Sequence, residues 1–260
     1  MVRHTAEAMS HSAGNVVSVG YREYAPPTVL RDLVESAWAL DGPPAPVRVL
    51  PDGCMDLIAM NGDIVVAGPD TAAVMTSRDG DPYVGLRFRP GILPRLLGVP
   101  AGEIRDRRVL LSDLRRPPPR ARSLTELTEQ LAAEEPRSET APWTMPQLRQ
   151  VTEDLAAGSN VADLAHALGW SPRTLQRQCT AVYGYGAATL RRILRFRRAR
   201  RLLDAGLVLT DVAVRAGYSD QPHLHREVRA LAGVPLRWFG QDGNGANRST
   251  QLPSGSATVA

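Results

Sequence analysis

Two short segments carry side chains suited to reading a polyanion. One holds Arg173, Thr174, Gln176 and Arg177; the other holds Gln221, His223 and Arg226. An arginine fork fits guanine O6 and N7, a glutamine amide fits adenine N6 and N7, and both side chains also grip phosphate oxygens. Catalytic patterns are missing elsewhere. No nucleophile–base pair, Gly-rich phosphate loop or His-Glu metal motif stands out, so a non-enzyme without catalytic residues, metal or cofactor is expected. Asp52, Cys54 and Asp56 alternate and would share one face of a strand. Nothing completes a coordination set around them; Pro51-Asp52-Gly53 reads first as a turn and Cys54 as a buried thiol.

The elements that must position the two segments follow from apolar spacing. Val161, Leu164, Ala165 and Leu168 lie on one face of a short helix that ends at Gly169. Ser171 can cap the next helix, Pro172 fits its first turn, and Leu175, Cys179 and Val182 point inward. Arg173, Thr174, Gln176 and Arg177 are left to its other faces. The arrangement repeats: Val212, Ala213 and Ala216 precede Gly217, Ser219 can cap, and Leu224, Val228 and Leu231 turn inward. Gln221, His223 and Arg226 then stay outside. Helix, short glycine turn and helix make a helix-turn-helix unit, and the chain has two. Between them, Ala187–Ala205 contains no Gly or Pro and can form one long helix. Its apolar residues do not form one narrow stripe, as expected for a helix clasped by a unit on each side.

The rest of the chain divides around this region. Residues 1–18 and 241–260 are small and polar and read as a disordered leader and tail. Residues 134–143 are polar and Pro-bounded and read as a linker between a domain at 19–133 and one at 144–240. The first domain shows short apolar runs at Val34–Leu40, Val47–Leu50, Met55–Met60, Ile64–Ala67, Ala72–Thr76 and Tyr83–Phe88, separated by turn signals such as Asn61-Gly62. Short helices are expected at Gly91–Leu97 and Ser123–Ala133. The fold class is therefore α+β: a small β-barrel or sandwich-like domain with short helices, then an all-α domain of two helix-turn-helix units joined by a central helix.

Charge and cysteine usage agree with that division. All 31 basic residues are arginine. Residues 143–240 hold 14 arginines against 7 acids, whereas residues 1–142 hold 16 against 19. Positive charge thus concentrates where polyphosphate would be met. Two cysteines exclude a disulfide framework and a four-cysteine zinc site. No run of about 18 apolar residues and no signal peptide is visible. A cytoplasmic protein without membrane contact is expected.

Residues from about Asn160 to Phe239 resemble the DNA-binding domain of the AraC/XylS family of bacterial transcription regulators. The resemblance rests on Val161-Ala162-Asp163-Leu164-Ala165, on Gly169 through Arg177, on Leu194–Leu203, on Val212-Ala213 with Gly217 through Gln221, and on Gly233 through Phe239. Cys179, Ala187, Val228 and Leu231 depart from the family's usual residues at core or turn positions. The resemblance implies that the second helix of each unit enters the major groove of double-stranded DNA. Arg173, Gln176 and Arg177 would then read bases from the first unit, and Gln221, His223 and Arg226 from the second. The segment Arg48–Ile58, with Gly68-Pro69-Asp70-Thr71 and Gly85–Gly91, resembles an N-terminal domain of unknown role on some actinobacterial members. By family analogy it would sense a small-molecule effector or mediate homodimerisation, and RNA polymerase would be a further partner. The competing readings are a DNA-targeted, repair-type enzyme and a nonspecific architectural DNA binder. The first lacks the four cysteines its relatives use; the second would show weak sequence discrimination with strong salt dependence.

Overall fold

A computed structural model describes residues 20–78, 80–117, 120–239 and 257–259. The expected leader and residues 241–256 and 260 of the expected tail lie outside them, whereas residues 257–259 of that tail, expected to be disordered, pair as a strand with Val47 and Arg48. The N-terminal half is a two-sheet β structure. A six-stranded antiparallel sheet runs in the order β1 (Gly20–Tyr24), β2 (Val34–Asp41), β7 (Tyr83–Phe88), β4 (Met55–Met60), β5 (Asp63–Ala67) and β8 (Arg108–Leu110). A smaller sheet pairs β6 (Val74–Arg78), β3 (Ala45–Val49) and β9 (Ala257–Val259).

Local chemistry explains most boundaries. Asn61 and Gly62 both adopt positive φ and close the β4–β5 hairpin with Met60 opposite Asp63, as a type I′ turn requires. β2 alternates buried and half-buried residues along its whole length. Its Trp38 and Leu40, with Ile58 and Tyr83, pack on Val47 and Val49 of the second sheet. The opposite face of the large sheet meets helices. These are α1 (Ile92–Leu97), α2 (Leu111–Leu114) and α3 (Leu124–Ala132), the last capped by Ser123. Two strands were not expected. β1 (GYREY) carries charge and tyrosines, and β8 has three residues; edge strands of this kind have no apolar run to reveal them.

The C-terminal half is helical: α4 (Met145–Ala157), α5 (Val161–Ala167), α6 (Pro172–Tyr183), α7 (Ala187–Asp204), α8 (Leu209–Ala216), α9 (Gln221–Ala232) and a closing 3₁₀ turn (Leu236–Phe239). The two halves share one apolar core, which runs from Leu30 and Phe88 through α1 and α3 to Leu175, Leu194, Leu224 and Phe239. The end of the 134–143 segment is packed into this body, while residues 134–139 are exposed. Thr140 and Trp143 are buried, and Arg137 donates to the Gly98 carbonyl.

Candidate nucleic-acid interface

The two helix-turn-helix units are built alike, atom for atom at their turns. Gly169 and Gly217 hold φ of 68° and 85°, a conformation side chains with Cβ resist. The N–H of Trp170 donates to the Ala165 carbonyl, and the N–H of Tyr218 to the Ala213 carbonyl, both at 2.9 Å. Each closes the last turn of the first helix. The second helices begin differently. Ser171 Oγ accepts from the Thr174 N–H at 3.1 Å, as the sequence suggested. In the second unit the cap is Asp220, not the expected Ser219: its Oδ1 accepts from the His223 N–H at 2.6 Å. Ser219 Oγ instead meets His223 Nδ1 at 3.1 Å. A carboxylate at this position also complements the positive end of the helix dipole, and its pKa is lowered, chiefly by the His223 N–H.

Burial separates an inward from an outward face on each second helix. On α6, Leu175, Cys179, Val182 and Tyr183 are buried, while Arg173, Gln176 and Arg177 are exposed and Thr174 is half-buried. On α9, Leu224, Val228, Leu231 and Ala232 are buried. Its exposed residues are Pro222, His225, Arg226, Arg229 and Ala230, spaced i, i+3, i+4, i+7 and i+8. Gln221 and His223 flank them half-buried, and the His223 ring stands edge-on to Tyr218 at 5.2 Å. His225 and Arg229 were not singled out from the sequence. The signal was available, because the inward spacing of Leu224, Val228 and Leu231 leaves 225 and 229 outside. Among the described residues, Arg173, Arg177, Arg226 and Arg229 take part in no ion pair. The Gln176 amide folds back over Gly186, so close that a Cβ there would lie 2.0 Å from Oε1.

Between the units, α7 pairs most of its charge with other groups of the chain. Arg192 and Arg195 both reach Glu227 of α9, at 2.8 and 3.1 Å, and the Arg195 guanidinium lies 4.7 Å over the Tyr218 ring. Arg191 donates to the Ser159 carbonyl, and Arg200 faces Asp204 at 3.6 Å. Arg197 and Arg201 both pair with Glu35 of β2, and Arg197 Nη1 also lies 3.5 Å from Cys54 Sγ. Of the seven arginines on α7, Arg198 alone makes no such contact within the described residues. Glu227 therefore locks α9 to α7; Arg226, its neighbour, is left outward.

The β region touches the far ends of both second helices. Arg105 Nη1 donates to the Gly184 carbonyl at the end of α6, at 3.2 Å. Arg48 Nη1 donates to the Ala232 carbonyl at the end of α9, at 3.1 Å, and the Ala73 N–H donates to Leu231 O at 2.7 Å. Cations and N–H donors belong at helix C-termini, where carbonyls lack partners. The Pro51-Asp52-Gly53-Cys54 turn is an interface element: Gly53 packs against Leu190 and Leu194 of α7. Behind it, Arg87 is buried with Asp52 and Asp56 at 3.5 and 3.7 Å and also contacts Glu23. Burial pushes Asp52 up to about 8 and Asp56 up to about 7, against the pull of Arg87. Cys54 is fully buried and its thiol is pushed up as well, first by burial. No cluster of metal-ligating residues occurs among the described residues.

Residues 164–241 match the family model of a helix-turn-helix domain. The C-terminal domain is of AraC type. Residues 22–110 match a domain of unknown function, DUF6597. No curated protein sequence matches the chain. Solved structures of ToxT from Vibrio cholerae are similar at low identity. One from strain O395 is 12% identical, covering 76% of this chain and 89% of that one, with a TM-score of 0.39. A 1.65 Å structure in a P21 form is 10% identical, covering 85% and 98%, with a TM-score of 0.42. A third is ToxT of strain SCE256 with bound unsaturated fatty acid, 9% identical over 85% and 93%, with a TM-score of 0.39. No helix of the AraC-type domain, or of the rest of the described chain, is long and apolar enough to cross a membrane.

Proposed function

We propose that this chain is a sequence-specific transcription regulator that reads two successive major-groove segments with α6 and α9. The AraC-type domain makes it a DNA-binding regulator; the proposal concerns how it reads. The observation that carries it is the pair of outward faces, Arg173/Gln176/Arg177 and His225/Arg226/Arg229, on helices of matching build. Unpaired arginine forks on a helix face suit guanine edges and phosphates. With 18 residues, α7 extends about 27 Å at roughly 1.5 Å per residue. That is close to the roughly 34 Å between major-groove segments on one face of DNA. Thr174, Gln221 and His223, half-buried beside the caps, act as supports for these faces and as phosphate contacts. His225 and Arg229 join the reading set.

The N-terminal region serves as the sensing domain. Its support is its position: it caps the C-terminal carbonyls of both reading helices through Arg105 and Arg48. A ligand that shifts the β region changes the seating of both helices. Selection of bound duplexes from randomised DNA tests the reading. An enriched two-part site is expected. At that site Gln176→Ala, Arg226→Ala and His225→Ala each weaken binding about 5- to 150-fold, or about 1–3 kcal/mol, and relax one base position. A folded protein that enriches no motif, or variants that lose equally on cognate and random DNA, would overturn it.

A further inference from the structure

The face of the large sheet that meets α3 is built with a hole in it. β2 and β4 flank β7, and Ala37, Ala39 and Ala59 sit on that face at positions paired with Leu86 and Val84. On the other face, the same strands carry Trp38, Leu40 and Ile58. Bulk has been placed on one side and withheld on the other, although strands favour β-branched and aromatic residues. α3 roofs the gap with Leu124 and Leu127. The resulting cavity measures 370 Å³ and has no charged side chain in its lining, where the polar side chains are those of Tyr24, Trp38, Ser123 and Thr125. Packed interiors rarely leave voids much larger than a water molecule.

We infer that this cavity binds a neutral, apolar small molecule of about two to three rings. The size follows from volume: an apolar cavity of about 150 Å³ takes one benzene, and this one is more than twice as large. Neutrality follows from the lining, since a buried charge would go unpaired there. The site is separate from the 250 Å³ space between the two sheets, which Thr76, Tyr83 and Arg108 help to line. It is also separate from the arginine-lined cleft between Glu35 and α7. The inference rests on the sensing role proposed above for its biological output only; binding itself is read without DNA.

The test uses the full chain and N-phenyl-1-naphthylamine, a neutral probe that brightens in apolar surroundings. Saturable binding is expected, and Ala59→Leu or Ala37→Leu should weaken it at least tenfold by filling the cavity. Both variants should keep a cooperative unfolding transition; because either could fail to fold, Thr125→Leu, on α3 in the lining, supplies a third block. Adding a charge to the same skeleton, as in 1-anilinonaphthalene-8-sulfonate, should give no competition. Unsaturable binding, or equal affinity in all three variants, overturns the site. So does a loss that follows Thr76→Leu, which would put the ligand between the sheets. Loss of DNA selectivity with intact probe binding would overturn the regulator reading while leaving the cavity standing.

Discussion

Replacing Gly184 with alanine isolates the contact between the β region and α6. Gly184 ends α6 at φ +84°, and a Cβ there would sit 2.4 Å from Pro69 Cγ and 3.3 Å from the Ala101 carbonyl oxygen. Two costs add. The left-handed backbone costs alanine about 1 kcal/mol relative to glycine. The clash is with a proline ring and a backbone carbonyl, neither of which can rotate away, and forcing a carbon into such a space costs about 1–3 kcal/mol. The expected loss is thus about 2–4 kcal/mol. Gly169 and Gly217 are the internal controls. They share the positive φ, yet nothing lies within 4 Å of a Cβ built on either. Gly169→Ala and Gly217→Ala should lose only the backbone share, about 1 kcal/mol. Urea unfolding of the three variants at one pH measures the difference directly. If Gly184→Ala costs no more than Gly217→Ala, the close seating of α6 on Pro69 and Ala101 is wrong, and with it the proposed route from the N-terminal region to α6.

Other consequences follow from the charges. Glu227→Gln should destabilise the protein by about 1–3 kcal/mol in urea unfolding, because two α7 arginines lose a half-buried carboxylate; an unchanged midpoint would deny that α9 is locked to α7. Asp52→Asn should change the pH dependence of stability. The folded pKa of Asp52 is raised to about 8 from an ordinary 3.8, so the folded state holds a proton that the unfolded chain releases, and stability falls as pH rises between those values. The variant should lose that slope and gain at least about 1 kcal/mol on the wild type between pH 5 and 8; parallel curves would refute the assignment. Arg198→Ala should weaken all duplexes alike and lower the salt slope of binding by about 1, whereas Arg200→Ala, facing Asp204, should leave the slope unchanged in a salt titration.

Much of this was legible along the chain because it is set by neighbours in sequence. Inward spacing at Leu175, Cys179 and Val182, and again at Leu224, Val228 and Leu231, marks helices of period 3.6. Gly169 and Gly217 mark turns that need positive φ, and Asn61-Gly62 marks a hairpin. These are local rules, and the structure obeys them. The cap of α9 escaped because Ser219 and Asp220 are both good caps, and a one-residue choice between them depends on where His223 and Tyr218 settle.

What the chain could not declare is which charged residues face solvent and which face one another. The seven arginines of α7 look alike in sequence. Only tertiary contact assigns Arg192 and Arg195 to Glu227, Arg197 and Arg201 to Glu35, and leaves Arg198 outward. Pro51-Asp52-Gly53-Cys54 reads as a turn, and only docking makes it a seat for α7. The sequence by itself therefore determined two helix-turn-helix units after a β-rich domain, since periodicity and backbone preference act over a few residues. The tertiary structure decided that the two halves share one core, that arginines of the β region cap both second helices, and that a cavity lies under α3. Those depend on pairs of residues far apart in the chain, whose meeting is governed by packing and by partners for buried charge.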